Sequence, residues 1–368
     1  MPGNLPPIFS RLQRRMSSDP PSHDRHTDRL PGKLAELLDM GFDRVEAPPV
    51  TTESVRLDKR THKLSQFRPA MGTFISVTVL HESEAQAEEA IGRSFEEMER
   101  LVDLFNRWDQ ATALAQLNER GILRDSPPEL VQVVSEALRY NHKSAGAFDV
   151  SVKPLVDLFI ERLAEGDASS PAQAEVREAL ELVGSENIEV DQRTIAFKRS
   201  GMGITLDGIA KGYIVDRVAA ALREQGVTSY LVNAGGDIRG AGTKEHRLPW
   251  TVAVQDPLKR DDFPDLIELG DGAVATSGSY EIYFDRERLH HHVVSSKTGA
   301  SPRLSSSVSV RAPTTMVADT LATAVFVMRP EAALRFVNSL PHCECLIIDA
   351  GGIQQRSRGW KSAKPTPS

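Results

Sequence analysis

Cysteine is almost missing from this sequence: Cys343 and Cys345 are the only two in 368 residues. Set two apart in Cys-Glu-Cys, they would point to one face of a strand and are too close in sequence for an ordinary structural disulfide. No further cysteine completes a metal-ligand set, so they read as two buried thiols beside a strand, in a protein suited to a reducing compartment. Long apolar runs are missing too. No stretch reaches the roughly 18 apolar residues of a membrane-spanning helix, so no transmembrane segment is expected. The pair Arg14 and Arg15 is not followed by the apolar stretch of a secretory or twin-arginine signal, and the expected location is cytoplasmic. Basic excess is absent as well: 44 Lys and Arg stand against 51 Asp and Glu, a formal net charge of -7. The charges are interspersed and form no stripe able to neutralise a phosphate backbone, so no nucleic-acid partner is expected. What remains is a chain with 40% hydrophobic residues, enough to bury a full core in one large domain or two small ones.

Residues 1–66 are rich in Pro, Ser, His and Arg and read as a mostly disordered extension, with a short amphipathic helix over Gly32 to Arg44. Order is expected to begin at the β-branched, alternating run Thr73 to Leu80, a strand. Ser83 then opens a capping box with Gln86, and Ile91, Phe95, Met98, Val102 and Phe105 recur at helical spacing. Ser126, Pro127 and Glu129 predict a second helix start, as cap, first-turn proline and box partner. The acidic, Ala-rich stretch from Arg162 to Leu182 reads as helical. ITLDGIAKGYIVDRVAAALREQGVTSYLVNAGGDIRGAG reads as a strand end, a turn, a helix closed by Gly226 and a second strand. Its GGDIRGAG glycines follow a strand without opening a helix, so it is no dinucleotide fingerprint. Further strands are predicted at Trp250 to Val254, Ser307 to Val310 and Cys345 to Asp349, and helices at Ala318 to Met328 and Glu331 to Leu340. Strands and helices do not strictly alternate, and the fold class expected is α+β, over one domain at 67–355 with a disordered tail at 356–368.

Four segments offer chemistry. In VADTLATAVFV, Asp319 and Thr323 lie four apart on a helix, so both oxygens project from one face. A carboxylate with a hydroxyl is a hard, oxygen-only pair suited to Mg²⁺; a helix-start cap explains the same spacing. Lys211, flanked by Gly208 and Gly212 near a helix start, suits an anion site, or is a solvated surface lysine. Phe148 and Asp149 follow a Gly-Ala turn and read equally as a site or as a buried ring and a turn cap. Three consecutive histidines, His290 to His292, lack the same-face spacing of a helical zinc motif.

The joint order of AMGTFISVTV, NRWDQATALAQLN, GAFDVSVKPLVDLF, LDGIAKGYIVD, LVNAGGDIRGAG, AVATSGSYEIYF, HHVVSSKTGASP and VADTLATAVFVM resembles the successive motifs of the ApbE family of FAD:protein FMN transferases, from about Pro69 to Met328. The resemblance implies a two-lobed α+β fold related to the tunnelling fold, with FAD in a cleft between the lobes and Mg²⁺ on its pyrophosphate. It implies Asp319 and Thr323 as side-chain metal ligands and Gly208 as a backbone-carbonyl ligand. Lys211 matches a flavin-nucleotide contact, Met71 and Trp108 match residues touching FAD, and Ala147, Phe148, Asp149 and Val293 match the nucleotide lining. Thr205 falls in the same lining, where the family's usual residue is Asp, and Asp207 replaces a usual Gly. Ser295 and Ser296 stand for the usual Asp-Pro, and Ser279 for another Asp.

The implied reaction is attack by a Ser or Thr hydroxyl of an acceptor protein on the FMN-side phosphorus of FAD, with AMP leaving. His292 is the candidate base and Lys211 the added positive charge. With water as nucleophile the same site would be a Mg²⁺-dependent FAD pyrophosphatase, and the missing carboxylates also admit a non-catalytic FAD-binding protein. The acceptor's identity is not written in this chain.

Overall fold

A computed structural model of the chain describes residues 12–14, 42–44, 51–164, 171–257, 263–278 and 293–363. Among the described strands, Leu12–Arg14 (β1) pairs with Phe42–Arg44 (β2) alone. Thr51–Arg56 (β3), His62–Ala70 (β4) and Thr73–His81 (β5) form a meander. Ile122–Leu123 (β6), Ile188–Asp191 (β7) and Thr194–Phe197 (β8) make a small sheet. Ser229–Ala234 (β9) and Asp237–Ala241 (β10) form a hairpin, and Trp250–Ala253 (β11) with Leu266–Leu269 (β12) a separate ribbon. Gly272–Gly278 (β13), Ser307–Ala312 (β14), Glu344–Ile348 (β15) and Gln354–Arg356 (β16) complete the strands. The helices are Glu84–Phe105 (α1), Ala113–Arg120 (α2), Pro128–Lys143 (α3), Lys153–Ala164 (α4), Gln173–Glu181 (α5), Ala210–Glu224 (α6), Thr315–Val327 (α7) and Pro330–Asn338 (α8).

Among the described residues the main sheet has nine strands in the order β16-β15-β14-β13-β10-β9-β5-β4-β3, and every pairing is antiparallel. That places the fold in the α+β class rather than among parallel α/β sheets. Period-two alternation sorts its residues. Ile75, Val77 and Val79 of β5, Tyr230, Val232 and Ala234 of β9, and Val308 and Val310 of β14 join the core shared with α1, α6 and α7. Ile238, Val274, Leu346 and Ile348 instead meet Trp250, Val252, Ile267 and Leu269 of the β11–β12 ribbon. Each fully buried Val or Leu among these contributes about 1.5–3 kcal/mol relative to exposure. The stripe Ile91, Phe95, Met98 and Phe105 buries α1, whose start is closed by a Gln86 N–H donating to Ser83 Oγ at 3.4 Å.

Several boundaries differ from the sequence reading. The sheet begins at Thr51, not at Thr73, and the 66/67 boundary falls inside β4, because the polar strands β3 and β4 add to an edge through backbone hydrogen bonds that composition does not register. Of the helix expected over Gly32 to Arg44, the described part, 42–44, is strand; the rest lies outside the described residues. The second helix is capped one position later, at Pro127, while Ser126 turns back and donates to Leu123 O at 3.1 Å. The Arg162 to Leu182 stretch comprises the end of α4 and the separate α5, with 165–170 outside the described residues. Ile204 is not in a strand: the Asn118 side chain accepts from its N–H at 2.7 Å and donates to its carbonyl at 3.0 Å, as a strand partner would. The described part of the tail, 356–363, folds around Asp265, and 364–368 lie outside the described residues. Cys345 is buried and Cys343 half-buried, both free, and burial pushes their thiols up to about 12 and about 11 respectively.

Candidate active site

Two hairpin turns meet at one end of the main sheet. Met71 and Gly72, with φ of 51° and 72°, connect β4 to β5, and Gly235 and Gly236, with φ of 60° and 101°, connect β9 to β10. Positive φ at both central positions matches the twist of a two-residue hairpin. The β5–β9 register sets Ile75 opposite Ala234, so the turns are neighbours, and a side chain at Gly235 would run into Thr73. The turn delivers Asp237 to the start of β10, facing the helices.

The helices α6 and α7 cross that end in close contact. A Cβ at Gly212 would stand 2.5 Å from Thr315 O and 2.8 Å from Met316 Cα, so only glycine permits this approach. Each helix closes the other's first turn. Asp216 of α6 accepts from the Thr315 and Met316 N–H groups of α7, both at 2.9 Å, while Asp319 of α7 accepts from the Gly212 N–H of α6 at 3.0 Å.

The cleft above this pair encloses about 730 Å³, part of it open to solvent. Asp319 and Thr323, one helical turn apart, line it together with Gly208, Lys211, Thr205, Ala147, Phe148, Asp149 and Val293. A Cβ on Gly208 would lie 2.8 Å from Thr323 Oγ1 and 3.2 Å from the Phe148 ring, so the bare Gly208 backbone rests against that hydroxyl. Lys211 Nζ stands 3.4 Å from Asp237 Oδ2, and Asp237 is only 1% exposed. Burial, reinforced by the negative charge of Asp237, pushes the Asp319 carboxyl well above the usual carboxylate range, against the pull of Lys211 and the Gly212 N–H. Burial also raises Asp216, outweighing its two backbone donors.

Among the described residues no three His, Cys, Asp or Glu side chains form a metal cage. The oxygen donors that gather here are a carboxylate, a hydroxyl and an unsubstituted backbone, a set for a hard cation that keeps part of its water and not for zinc. Val150, Val152, Val156, Val294 and Val327 add an apolar stretch of wall suited to flat rings, and Thr276 and Ser277 add hydroxyl-bearing positions.

Asp149 both lines the cleft and caps the following turn. Its carboxylate accepts from Ser151 N–H at 2.9 Å, Ser185 Oγ–H at 2.6 Å and Asn141 Nδ2 at 3.1 Å, so it is the turn cap while also bordering the cleft. Met71 and Trp108 are not among the lining residues. Met71 packs on the main core from its turn, and Trp108, 39% exposed, is linked to the cleft through Arg107, whose guanidinium lies 4.2 Å from the Trp108 ring centre and 3.5 Å from Asp207. Asp207 lines the cleft but is largely exposed and turned to Arg107. His292 and Ser279 lie outside the described residues. Ser296 Oγ donates to Gly146 O at 2.8 Å, holding the Ser295–Ala300 turn against the Gly-Ala turn.

Sequence reasoning passed over Asp237, Asp216 and Arg107. A carboxylate directly after a Gly-Gly turn, at an inward strand position, is the available signal for Asp237. Asp216 and Arg107 read as ordinary surface charges until the helices are docked.

A model of the ApbE family matches residues 71–347. Curated relatives named FAD:protein FMN transferase include one from Vibrio cholerae, 29% identical over 305 residues, covering 80% of this chain and 90% of that protein. Another, from Klebsiella pneumoniae, is 29% identical over 331 residues, covering 86% and 90%. Among solved structures, the ApbE protein of Thermotoga maritima aligns with a TM-score of 0.71 at 30% identity, over 84% of this chain and 97% of its own. The flavin transferase ApbE from Vibrio cholerae aligns with a TM-score of 0.67 at 26% identity, over 84% and 98%. By this match, which runs over more than half of its length, the chain belongs to the ApbE family.

Proposed function

We propose that this chain transfers FMN from FAD to a Ser or Thr hydroxyl of an acceptor protein, releasing AMP, with Mg²⁺ as cofactor. The observation that carries the reading is one cleft in which Asp319, Thr323 and the Gly208 backbone gather beside Lys211, under an apolar wall. Asp319, Thr323 and the Gly208 carbonyl would hold the metal, which when bound supplies positive charge to the diphosphate and lowers the cost of the leaving phosphate. Lys211, held by Asp237, adds a fixed ammonium for the negative charge that builds on the phosphoryl oxygens. Phe148 and the valines give the cleft an apolar side, and a bound flavin that displaces solvent from it would strengthen each of these interactions. The acceptor hydroxyl forms the new O–P bond, the P–O bond to AMP breaks, and the hydroxyl proton goes to His292, whose chain neighbour Val293 lines the cleft.

The test incubates the purified chain with FAD, Mg²⁺ and candidate acceptor proteins. The expected result is a mass gain of one FMN on an acceptor, with equal AMP, stopped by EDTA. AMP without acceptor labelling would make water the nucleophile; FAD recovered intact in every mixture would sink the reading. His292→Ala is expected to slow transfer about 10²- to 10⁴-fold with FAD still bound.

A further inference from the structure

Arg107, in the connection between α1 and α2, has a side chain only 6% exposed, and its guanidinium reaches three groups. Nη1 donates to Asp157 Oδ1 of α4 at 3.1 Å, Nη2 lies 3.5 Å from Asp207 Oδ2, and Cζ stands 4.2 Å from the Trp108 ring centre. Asp157 also pairs with Lys153 one turn earlier, so the anchor sits on a helix. One of the three groups, Asp207, lines the cleft next to Gly208; Trp108 stands outside the lining, joined to it through Arg107, and only the family resemblance matches it to a residue touching FAD. A planar cation against one face of an indole fixes the ring and leaves its other face for a second flat group. Lysine would bring the charge but neither the flat face nor the forked donors that reach two carboxylates at once.

We propose that Arg107 is a positioning residue for FAD: anchored on Asp157, it holds the Trp108 ring and the Asp207 corner of the turn before α6 in one arrangement. This rests on the flavin transfer proposed above. None of the three contacts is to Lys211, Asp319 or Thr323, so loss of Arg107 weakens dinucleotide binding more than the chemical step.

The test uses the full chain as wild type, Arg107→Met, Arg107→Lys, Trp108→Ala and the Arg107→Met/Trp108→Ala double variant. FAD affinity is read by flavin fluorescence with Mg²⁺ present, alongside transfer kinetics and melting temperature. Arg107→Met is expected to raise Kd and KM for FAD about three- to tenfold. It should leave kcat at saturating FAD within about twofold. Arg107→Lys should melt near wild type yet keep the raised KM, which preserves the test if the methionine variant folds poorly. The double variant should lose less FAD affinity than the sum of the two single losses, because part of the Arg107 effect passes through Trp108. A lowered melting temperature with wild-type FAD affinity would make Arg107 merely structural and overturn the proposal. So would a wild-type KM in Arg107→Lys, or losses that simply add in the double variant. Wild-type protein that fails to bind FAD removes the function and this inference together; wild-type protein that binds it, with Arg107→Met unchanged, removes this inference alone.

Discussion

Asp319 is a carboxylate 5% exposed, faced by the second buried carboxylate of Asp237 and relieved by one ammonium and one backbone N–H. Burying a carboxyl group with only partial compensation is costly, and the fold bears that cost. Asp319→Asn keeps the shape and the acceptor for Gly212 while removing the charge. It is expected to raise the stability of the metal-free chain by about 1–3 kcal/mol, read by denaturant titration. Flavin transfer by the same variant should fall about 100-fold or more. A residue that improves the fold when neutralised and abolishes turnover marks a site kept for chemistry. The Asp-Thr spacing was legible because helical periodicity puts positions four apart on one face whatever the surroundings. Asp237 was not, since its significance lies in a partner 26 positions earlier in the chain, brought near only when β10 docks under α6.

The pair of helices, rather than either alone, builds the site's floor. Gly212→Ala would press a methyl into the Thr315 carbonyl at 2.5 Å, a backbone atom that cannot rotate away. The helices must then part, separating Lys211 and Gly208 from Asp319 and Thr323. The expected cost is about 1–3 kcal/mol in unfolding free energy, with a larger proportional loss of FAD-dependent turnover. Equal stability and turnover in this variant would show that the close approach is not needed. Element boundaries were readable where periodicity or caps mark them, as with Ser83 before α1 and Gly226 after α6. They were unreadable where tertiary partners decide. Polar β3 and β4 become strands by joining an edge, and Ile204 leaves the strand state because a side chain, Asn118, answers its backbone.

Across the whole molecule residues 356–362 act as a clasp. Asp265 accepts from Leu266 N–H at 2.8 Å, Trp360 Nε1 at 2.9 Å, Arg356 Nη2 at 3.2 Å and the Ser362 hydroxyl, while Trp360 packs on the ribbon-side core. Burial works to raise this carboxyl, but the hydrogen bonds from Ser362, Trp360, Leu266 and Arg356 together hold it below its ordinary value. A depressed folded-state pKa contributes stability that is present above the unfolded value, near 3.9, and is lost as pH falls through the folded one. The wild-type chain should therefore lose this contribution below about pH 4. Asp265→Asn should be less stable by about 1–3 kcal/mol at pH 7 and show a shallower acid limb in melting temperature against pH. An unchanged acid limb would mean that the clasp does not depend on the charge. The reciprocal closure of α6 and α7 has a different reach. Helix starts ordinarily rely on water for their first amide protons, yet here Gly212, Thr315 and Met316 give theirs to a neighbour's carboxylate. A guest that drives solvent out of the cavity strands no amide at these three positions, and its own shape need not imitate the departing water there.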